Sequence, residues 1–226
     1  MFTSAILLAA GLGSRMKSRA PKPLAKLSNR PVIAYSLKAL SNHSKISEII
    51  VVVNKGNRPG ILRQVRSGKF SKVSKIVEGG RRRQDSLGCG LRVMEKRAQI
   101  VLIHDAARPF IDKKLISGCL DEARKSGAGI AGVPVKATVK EAGCGNSVKK
   151  TLDRSSLWEI QTPQVFKKDL ILKAYKKFGQ ENVTDDATLV EKLGRPVKIV
   201  RGSYFNIKIT TPEDLILAEA IAKRIK

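Results

Sequence analysis

The stretch Ala5-Ile6-Leu7-Leu8-Ala9-Ala10-Gly11-Leu12-Gly13-Ser14-Arg15-Met16, with Pro21-Lys22 close behind it, decides how the rest of the chain is read. A short apolar run ends in small residues and glycines and then meets two cations. Glycine lets backbone N–H groups approach an anion closely and tolerates φ > 0. Arg15 and Lys22 supply the positive charge that a nucleoside triphosphate needs. The pattern lacks the Gly-Lys-Ser/Thr ending of a P-loop and the third glycine of the dinucleotide fingerprint. The expectation is a strand followed by a phosphate loop of another kind.

Working outward, apolar runs of strand length recur at 5–9, 48–53, 73–77, 99–103, 129–135 and 197–200. Helix-period segments at 31–40, 84–94 and 112–125 lie between the early ones. Continuous β-branched runs separated by helices predict an α/β fold with a mostly parallel sheet covered on both faces. In such sheets ligands sit beyond the carboxyl ends of the strands. The loop at Gly11, the loop at 78–83 and the loop at 104–110 all follow strands, so all three should face one rim.

From 136 to 153 the pattern changes: Thr138, Val139, Val148 and Thr151 flank Gly143-Cys144-Gly145-Asn146. Two short extended arms around a glycine turn have little core of their own. They read as a lid or, preferably, as a protruding β-arm that packs on a second copy of the chain. Helical stretches follow at 167–178, 184–193 and 212–224, the last opened by Thr211, Pro212 and Asp214. With no repeat and no linker, residues 1–226 read as one domain with an arm inserted at about 136–153.

Composition narrows the function classes. A hydrophobic content of 42 % is enough for a sizeable core and argues against global disorder. Lys and Arg total 44 against 19 Asp and Glu, a net charge of +25. The lysines are scattered and aromatics make up only 4 %, so stacking platforms for nucleic acid are missing and the charge reads as a solvated basic surface. Cys89, Cys119 and Cys144 have neither metal-pair spacing nor the even count of a disulfide framework, which suits a reducing compartment. No leader pattern and no run near 18 apolar residues is visible, so a cytoplasmic protein away from membranes is expected.

The chemistry-bearing groups sit after the predicted strands. His104-Asp105-Ala106-Ala107-Arg108-Pro109 places an acid where it could bind a ribose hydroxyl or a metal bridging phosphates, or could merely cap a turn and pair with Arg108. In Gly79-Gly80-Arg81-Arg82-Arg83-Gln84-Asp85-Ser86 the glycines would let backbone meet a flat base edge. Ser86 would touch the base or cap a helix, and the three arginines read as a solvated turn. Asp153-Arg154 through Trp158, Gln161-Thr162-Pro163-Gln164, Thr184-Asp185 and Asn206-Ile207-Lys208 complete the set. Two histidines, His43 and His104, are too few and too separated for a His metal site, and no nucleophile–base pair stands out. Phosphoryl electrophile chemistry fits better than covalent catalysis.

Taken together, and in this order along nearly the whole chain, these blocks resemble the methylerythritol phosphate cytidylyltransferase family, nucleotidyltransferases of the non-mevalonate isoprenoid pathway. The glycine-rich start is shared with many sugar nucleotidyltransferases; the later blocks are the specific ones. The resemblance implies a Rossmann-like fold, a homodimer interlocked by the β-arm, and CTP and methylerythritol phosphate as substrates. It implies that Arg15 and Lys22, with Arg154 and Lys208, are catalytic. Ala9, Ala10, Gly11, Gly13, Gly80, Ser86, Asp105 and Ala106 would hold the cytidine nucleotide. Asp105, Arg108, Thr138, Arg154, Thr162, Thr184 and Lys208 would position the acceptor, with Thr138 and Arg154 reaching across from the arm. Magnesium would be carried mainly by the CTP phosphates. Phe205 stands where family members often carry an acid, which leaves Asp105 as the metal-facing carboxylate. A cytidylyltransferase for ribitol 5-phosphate or another polyol phosphate is the nearest alternative, and a basic nucleic-acid-binding protein the more distant one.

Overall fold

Side chains alternate across a strand, so a run that is apolar at every position can only be satisfied between two covered faces. That is what the first strand does in the structure, a computed structural model that describes residues 1–11 and 21–225. In β1 (Thr3–Leu8), Ala5 and Leu7 join one core and Ile6 the other. The same split divides β4 (Glu48–Val53), where Ile49, Val51 and Val53 face one way and Ile50 and Val52 the other.

The remaining strands are β2 (Lys26–Leu27), β3 (Arg30–Pro31), β5 (Val73–Glu78), β6 (Ile100–Asp105), β7 (Ala128–Pro134), β8 (Lys140–Ala142), β9 (Val148–Thr151), β10 (Trp158–Lys167) and β11 (Lys198–Arg201). The helices are α1 (Val32–Asn42), α2 (Arg58–Ser67), α3 (Arg83–Val93), α4 (Lys113–Ser126), α5 (Lys168–Phe178), α6 (Ala187–Glu191) and α7 (Pro212–Ile225). Seven strands form one sheet in the order β11-β7-β10-β6-β1-β4-β5. Every neighbouring pair is parallel except where β10 runs antiparallel to both β6 and β7. Residues of α1, α2 and α4 pack on one face, and residues of α3, α5 and α6 on the other. The mostly parallel, doubly covered α/β sheet expected from the sequence is present.

Close packing fixes the layer that carries the site. A Cβ on Gly90 of α3 would lie 2.7 Å from Ile6 Cγ2, so only glycine lets this helix sit so near β1. The expected start of α7 is also built as read. Asp214 Oδ2 accepts from the backbone N–H groups of Thr210 and Thr211 at 2.7 and 2.9 Å, and Thr211 Oγ1 accepts from Asp214 N in return.

Residues 136–153 hold the antiparallel pair β8–β9, closed by a turn in which Gly145 and Asn146 adopt φ of 64° and 59°. No residue of either strand is buried. No helix among the described residues is long and apolar enough to cross a membrane.

Besides the two-residue strands β2 and β3, two longer elements escape the periodicity reading. The α2 helix opens Arg-Pro-Gly, which looks like a turn, and buries little beyond Ile61. Gly60 packs against Leu24 there, and a Cβ, 2.3 Å from Leu24 Cδ1, would make that side chain move. The second is β10, whose polar Gln161, Thr162 and Gln164 and whose Pro163 hide a strand; its pairing with β7 is interrupted between Ile160 and Gln164.

Candidate active site

Strands β6, β1, β4 and β5 run parallel as consecutive neighbours, so their carboxyl ends point the same way, and the loops that leave β1, β5 and β6 meet at one rim. Two cavities open there. One, of about 490 Å³, is walled by Ala9, Ala10 and Gly11 after β1, by Gly79, Gly80 and Ser86 around the start of α3, and by Lys22. The other, of about 400 Å³, is walled by Arg108, Thr162, Gln164 and Thr184. Arg83, Asp105 and Lys208 line both cavities.

The first cavity is made mostly of backbone and small side chains. Its β1 loop is held from behind by two asparagines: Asn57 Nδ2 donates to Ala9 O at 2.7 Å and Asn54 Nδ2 to Ala10 O at 3.0 Å. Each asparagine also accepts the other's backbone N–H, at 3.0 and 2.9 Å, so the pair is a rigid brace. Gly79 has no room for a side chain: a Cβ would sit 2.5 Å from Ser86 Oγ and 2.8 Å from Ala10 Cβ. Ser86 does not cap α3. Arg82 is the cap residue, in a reciprocal arrangement with Asp85, and Ser86 Oγ bonds Arg82 O at 3.2 Å.

Arg83, Asp105 and Lys208 form the shared wall, with Asp186 buried behind it. Arg83 Nη1 reaches Asp186 Oδ1 at 2.6 Å, and Arg83 Nη2 reaches Asp105 Oδ1 at 3.2 Å. Lys208 Nζ closes on Asp105 Oδ2 at 2.6 Å. Asp186 is fully buried and its Oδ2 has no partner among the described residues. Burial raises the Asp186 carboxyl above the ordinary range, against the pull of Arg83. Burial pushes Asp105 the same way, yet Arg83, Lys208 and Arg108 outweigh it and hold that carboxyl well below the usual range. Arg83 is thus no solvated turn residue; the sequence reading is corrected because β6 and α6 place carboxylates on either side of it. Arg82 is likewise engaged, with Asp85 and with Gln180 O at 2.8 Å.

On the second cavity, Arg108 Nη1 donates to Asn206 O at 2.7 Å while its Nε is buried without a partner among the described residues. Burial lowers the Arg108 pKa. Behind Arg108 and Asp105 lies His104, fully buried, its imidazole driven down to about 4 by burial. Gln164, unassigned by the sequence reading, ties β10 to the 184–188 segment: its Oε1 accepts from Asp186 N and Ala187 N, both at 3.1 Å, and its Nε2 donates to Asp185.

Of the expected site residues, Ala9, Ala10, Gly11, Lys22, Gly80, Ser86, Asp105, Arg108, Thr162, Thr184 and Lys208 line one cavity or both. Ala106 is buried behind the rim with its N–H on Leu8 O at 3.0 Å, and Ala107 lines the cavity instead. Thr138 and Arg154 are exposed and line neither cavity of their own chain; Arg154 Nη1 donates to Lys136 O at 2.5 Å. Gly13 and Arg15 lie outside the described residues. Asn54 and Asn57 were missed because their signal is tertiary, a side chain from the loop after β4 reaching the backbone of the loop after β1.

Comparison with known proteins agrees with this geometry. A family model described as IspD, 2-C-methyl-D-erythritol 4-phosphate cytidylyltransferase, matches residues 3–224. The protein of that name from Shouchella clausii is 47 % identical over 98 % of this chain and 96 % of its own. The one from Syntrophus aciditrophicus is 44 % identical over 97 % of this chain and 95 % of its own. Among solved structures, 4-diphosphocytidyl-2C-methyl-D-erythritol synthase from Anaerococcus prevotii superposes with a TM-score of 0.87 at 36 % identity, covering 99 % of both chains. The cytidylyltransferase from Thermus thermophilus does so with a TM-score of 0.80 at 31 % identity, covering 99 % of this chain and 100 % of that one. With nearly its whole length matched, and with the paired cavities at the rim of a parallel sheet, this chain belongs to the 2-C-methyl-D-erythritol 4-phosphate cytidylyltransferase family.

Proposed function

We infer that this protein transfers the cytidylyl group of CTP to the phosphate of 2-C-methyl-D-erythritol 4-phosphate, forming 4-diphosphocytidyl-2-C-methyl-D-erythritol and pyrophosphate. Beside family membership, one observation carries this: two cavities of different character share a single charged wall of Arg83, Asp105 and Lys208. A two-substrate transfer needs two pockets whose reacting ends meet. The cavity of glycine and alanine backbone suits a flat base read by main chain. The cavity with Arg108 and Thr184 suits a small hydroxylated phosphate.

The reaction joins two anions. An oxygen of the acceptor phosphate attacks the α-phosphorus of CTP, and pyrophosphate leaves in line. The acceptor phosphate is already largely ionised near pH 7, its second pKa lying at about 6, so no general base is required. What the site must provide is alignment and offsetting charge. Lys22 lines the first cavity and Lys208 lines both, so in this reading Lys22 would meet the triphosphate and Lys208 the phosphates that react. When Lys208 turns from Asp105 to a phosphate, Asp105 is released to receive a ribose hydroxyl or a metal. Arg15 completes the charge set by the family resemblance.

Magnesium fits as an ion borne by phosphate. Among the described residues no three His, Cys, Asp or Glu side chains converge on a cage, and Asp105 is the one carboxylate common to both cavities. Bound there, the ion would neutralise charge on the triphosphate oxygens. The exposed β-arm, with Thr138 and Arg154, would complete the acceptor site of a second copy in a homodimer. A cytoplasmic setting accords with three free thiols.

The test is a side-by-side assay with CTP and Mg²⁺ against 2-C-methyl-D-erythritol 4-phosphate and ribitol 5-phosphate, following pyrophosphate and the CDP-polyol. Product from the first acceptor in clear preference supports the proposal; product from ribitol 5-phosphate alone overturns it.

A further inference from the structure

We propose that His104 is a positioning residue of this reaction, a neutral imidazole carrying its proton on Nε2, that aims the turn from Asp105 to Arg108 at the two cavities. The proposal rests on the cytidylyl-transfer reading. His104 is fully buried behind the rim and lines neither cavity. Its Nε2 lies 3.0 Å from Arg108 O. A carbonyl oxygen only accepts, so Nε2 must hold the proton. Its Nδ1 lies 2.8 Å from Thr162 Oγ1. In the neutral ring that nitrogen is the acceptor, so the Thr162 hydroxyl donates to it. Thr162 Oγ1 in turn accepts from Asp105 N at 3.1 Å. Every hydrogen in the chain is thereby assigned: Asp105 N–H to Thr162 oxygen, Thr162 O–H to His104 Nδ1, and His104 Nε2–H to Arg108 O.

Three consequences follow from this order. First, both ends of the turn are tied to one ring, while Arg108 N also donates to Asp105 O at 2.9 Å within it. Second, Arg108 O receives a second donor, Ser36 Oγ, at 3.1 Å. With that carbonyl held inward twice, the Arg108 side chain is directed to the cavity side, where Nη1 finds Asn206 O. Third, the only proton of the Thr162 hydroxyl is spent on His104. Thr162 therefore serves the acceptor cavity by fixing Asp105 and His104, with no hydrogen left to donate to a substrate.

The first arm of the test needs no turnover. The chain has two histidines, so ¹⁵N spectra of the imidazoles at neutral pH are assigned with a single His43→Gln variant. A His104 ring protonated on Nε2, whose Nδ1 resonance alone moves in Thr162→Val, is expected. The opposite tautomer, or a ring averaging between the two, overturns the proposal. The second arm compares His104→Phe, which loses both bonds, with His104→Gln, whose amide can still donate toward Arg108 O. His104→Phe should lower kcat/KM for the acceptor by about 10²-fold, the scale of an ångström of misplacement. His104→Gln should recover most of that. Losses in Thr162→Val and His104→Phe should be non-additive in the double variant. Equal losses in the Phe and Gln variants, or additive losses in the cycle, overturn it. If His104→Phe does not fold, Thr162→Val and Ser36→Ala carry the kinetic arm, both expected to raise the acceptor KM; unchanged acceptor kinetics in both overturns it. Wild-type protein without cytidylyl transfer would sink the functional reading and leave the spectroscopic result standing.

Discussion

Replacing Arg83 by Met tests the charged wall most sharply. Arg83 holds Asp186 at 2.6 Å and Asp105 at 3.2 Å. Asp105 keeps Lys208 when Arg83 is gone, whereas Asp186, fully buried and with one oxygen already unpartnered among the described residues, keeps no counter-ion among them. The loss is therefore concentrated at Asp186. Removing one partner of a buried pair costs about 3–5 kcal/mol. For a chain of this size each kcal/mol moves Tm by about 2–4 °C, so Arg83→Met should melt roughly 6–20 °C lower. Removing the stranded charge should undo most of this: Arg83→Met/Asp186→Asn should recover more than half of the drop. Arg83→Lys should fall between, because one ammonium cannot span both carboxylates as the guanidinium fork does. Calorimetry or denaturant titration at pH 7.5 reads all three. An Arg83→Met protein melting within about 2 °C of the parent, or a double variant no better than the single, would refute the reasoning.

Three further outcomes are expected. Lys22→Ala should cost on the order of 10²–10³ in kcat, as for loss of one preorganised donor; near-parental turnover would remove Lys22 from the catalytic set. Gly79→Val should raise KM for CTP far more than KM for the acceptor, since even its Cβ would meet Ser86 Oγ at 2.5 Å and Ala10 Cβ at 2.8 Å; a CTP KM unchanged within twofold would be inconsistent with a nucleotide there. Burial holds the His104 imidazole at about 4 against 6.5 in the unfolded chain, so the native state binds fewer protons between those values. Its contribution, about 3 kcal/mol, is fully present above pH 6.5 and is lost as the pH falls toward 4. Urea titrations across that window should show a shallower pH slope in His104→Gln than in the parent; an identical slope would show that His104 is not the group responsible.

The sheet was legible in the sequence because burial on both faces leaves an unmistakable mark: β1, β4 and β6 each carry an unbroken apolar run, Ala5 to Leu8, Ile49 to Val53 and Ile100 to Ile103. The rim followed from where those runs stop. What the runs could not disclose were elements whose stability comes from elsewhere. The β10 strand is anchored by Gln161, Thr162 and Gln164 making hydrogen bonds to distant backbone and side chains, so its polarity reads as loop. The α2 helix buries so little that its Pro59-Gly60 opening dominates the reading. At the rim, Asp105 and Arg108 were expected because their block ends a predicted strand, and Thr184 and Lys208 because of the family resemblance; all four line the second cavity. Arg83 was not: a run of three arginines looks solvated until Asp105 and Asp186, 22 and 103 residues away, are seen to converge on the third. The arm shows the same limit. The resemblance implies Thr138 and Arg154 for the acceptor site, but neither is among the described residues that line the second cavity.

The central claim is that an acceptor phosphate displaces pyrophosphate from the α-phosphorus of CTP across the wall of Arg83, Asp105 and Lys208. Label transfer tests it most directly. Incubated with 2-C-methyl-D-erythritol 4-phosphate and Mg²⁺, [α-³²P]CTP should place its label in the CDP-polyol and [γ-³²P]CTP should place its label in pyrophosphate, one product for each CTP consumed. Label from the γ position in the polyol product, or α label released as free CMP with no CDP-polyol formed, would contradict the account.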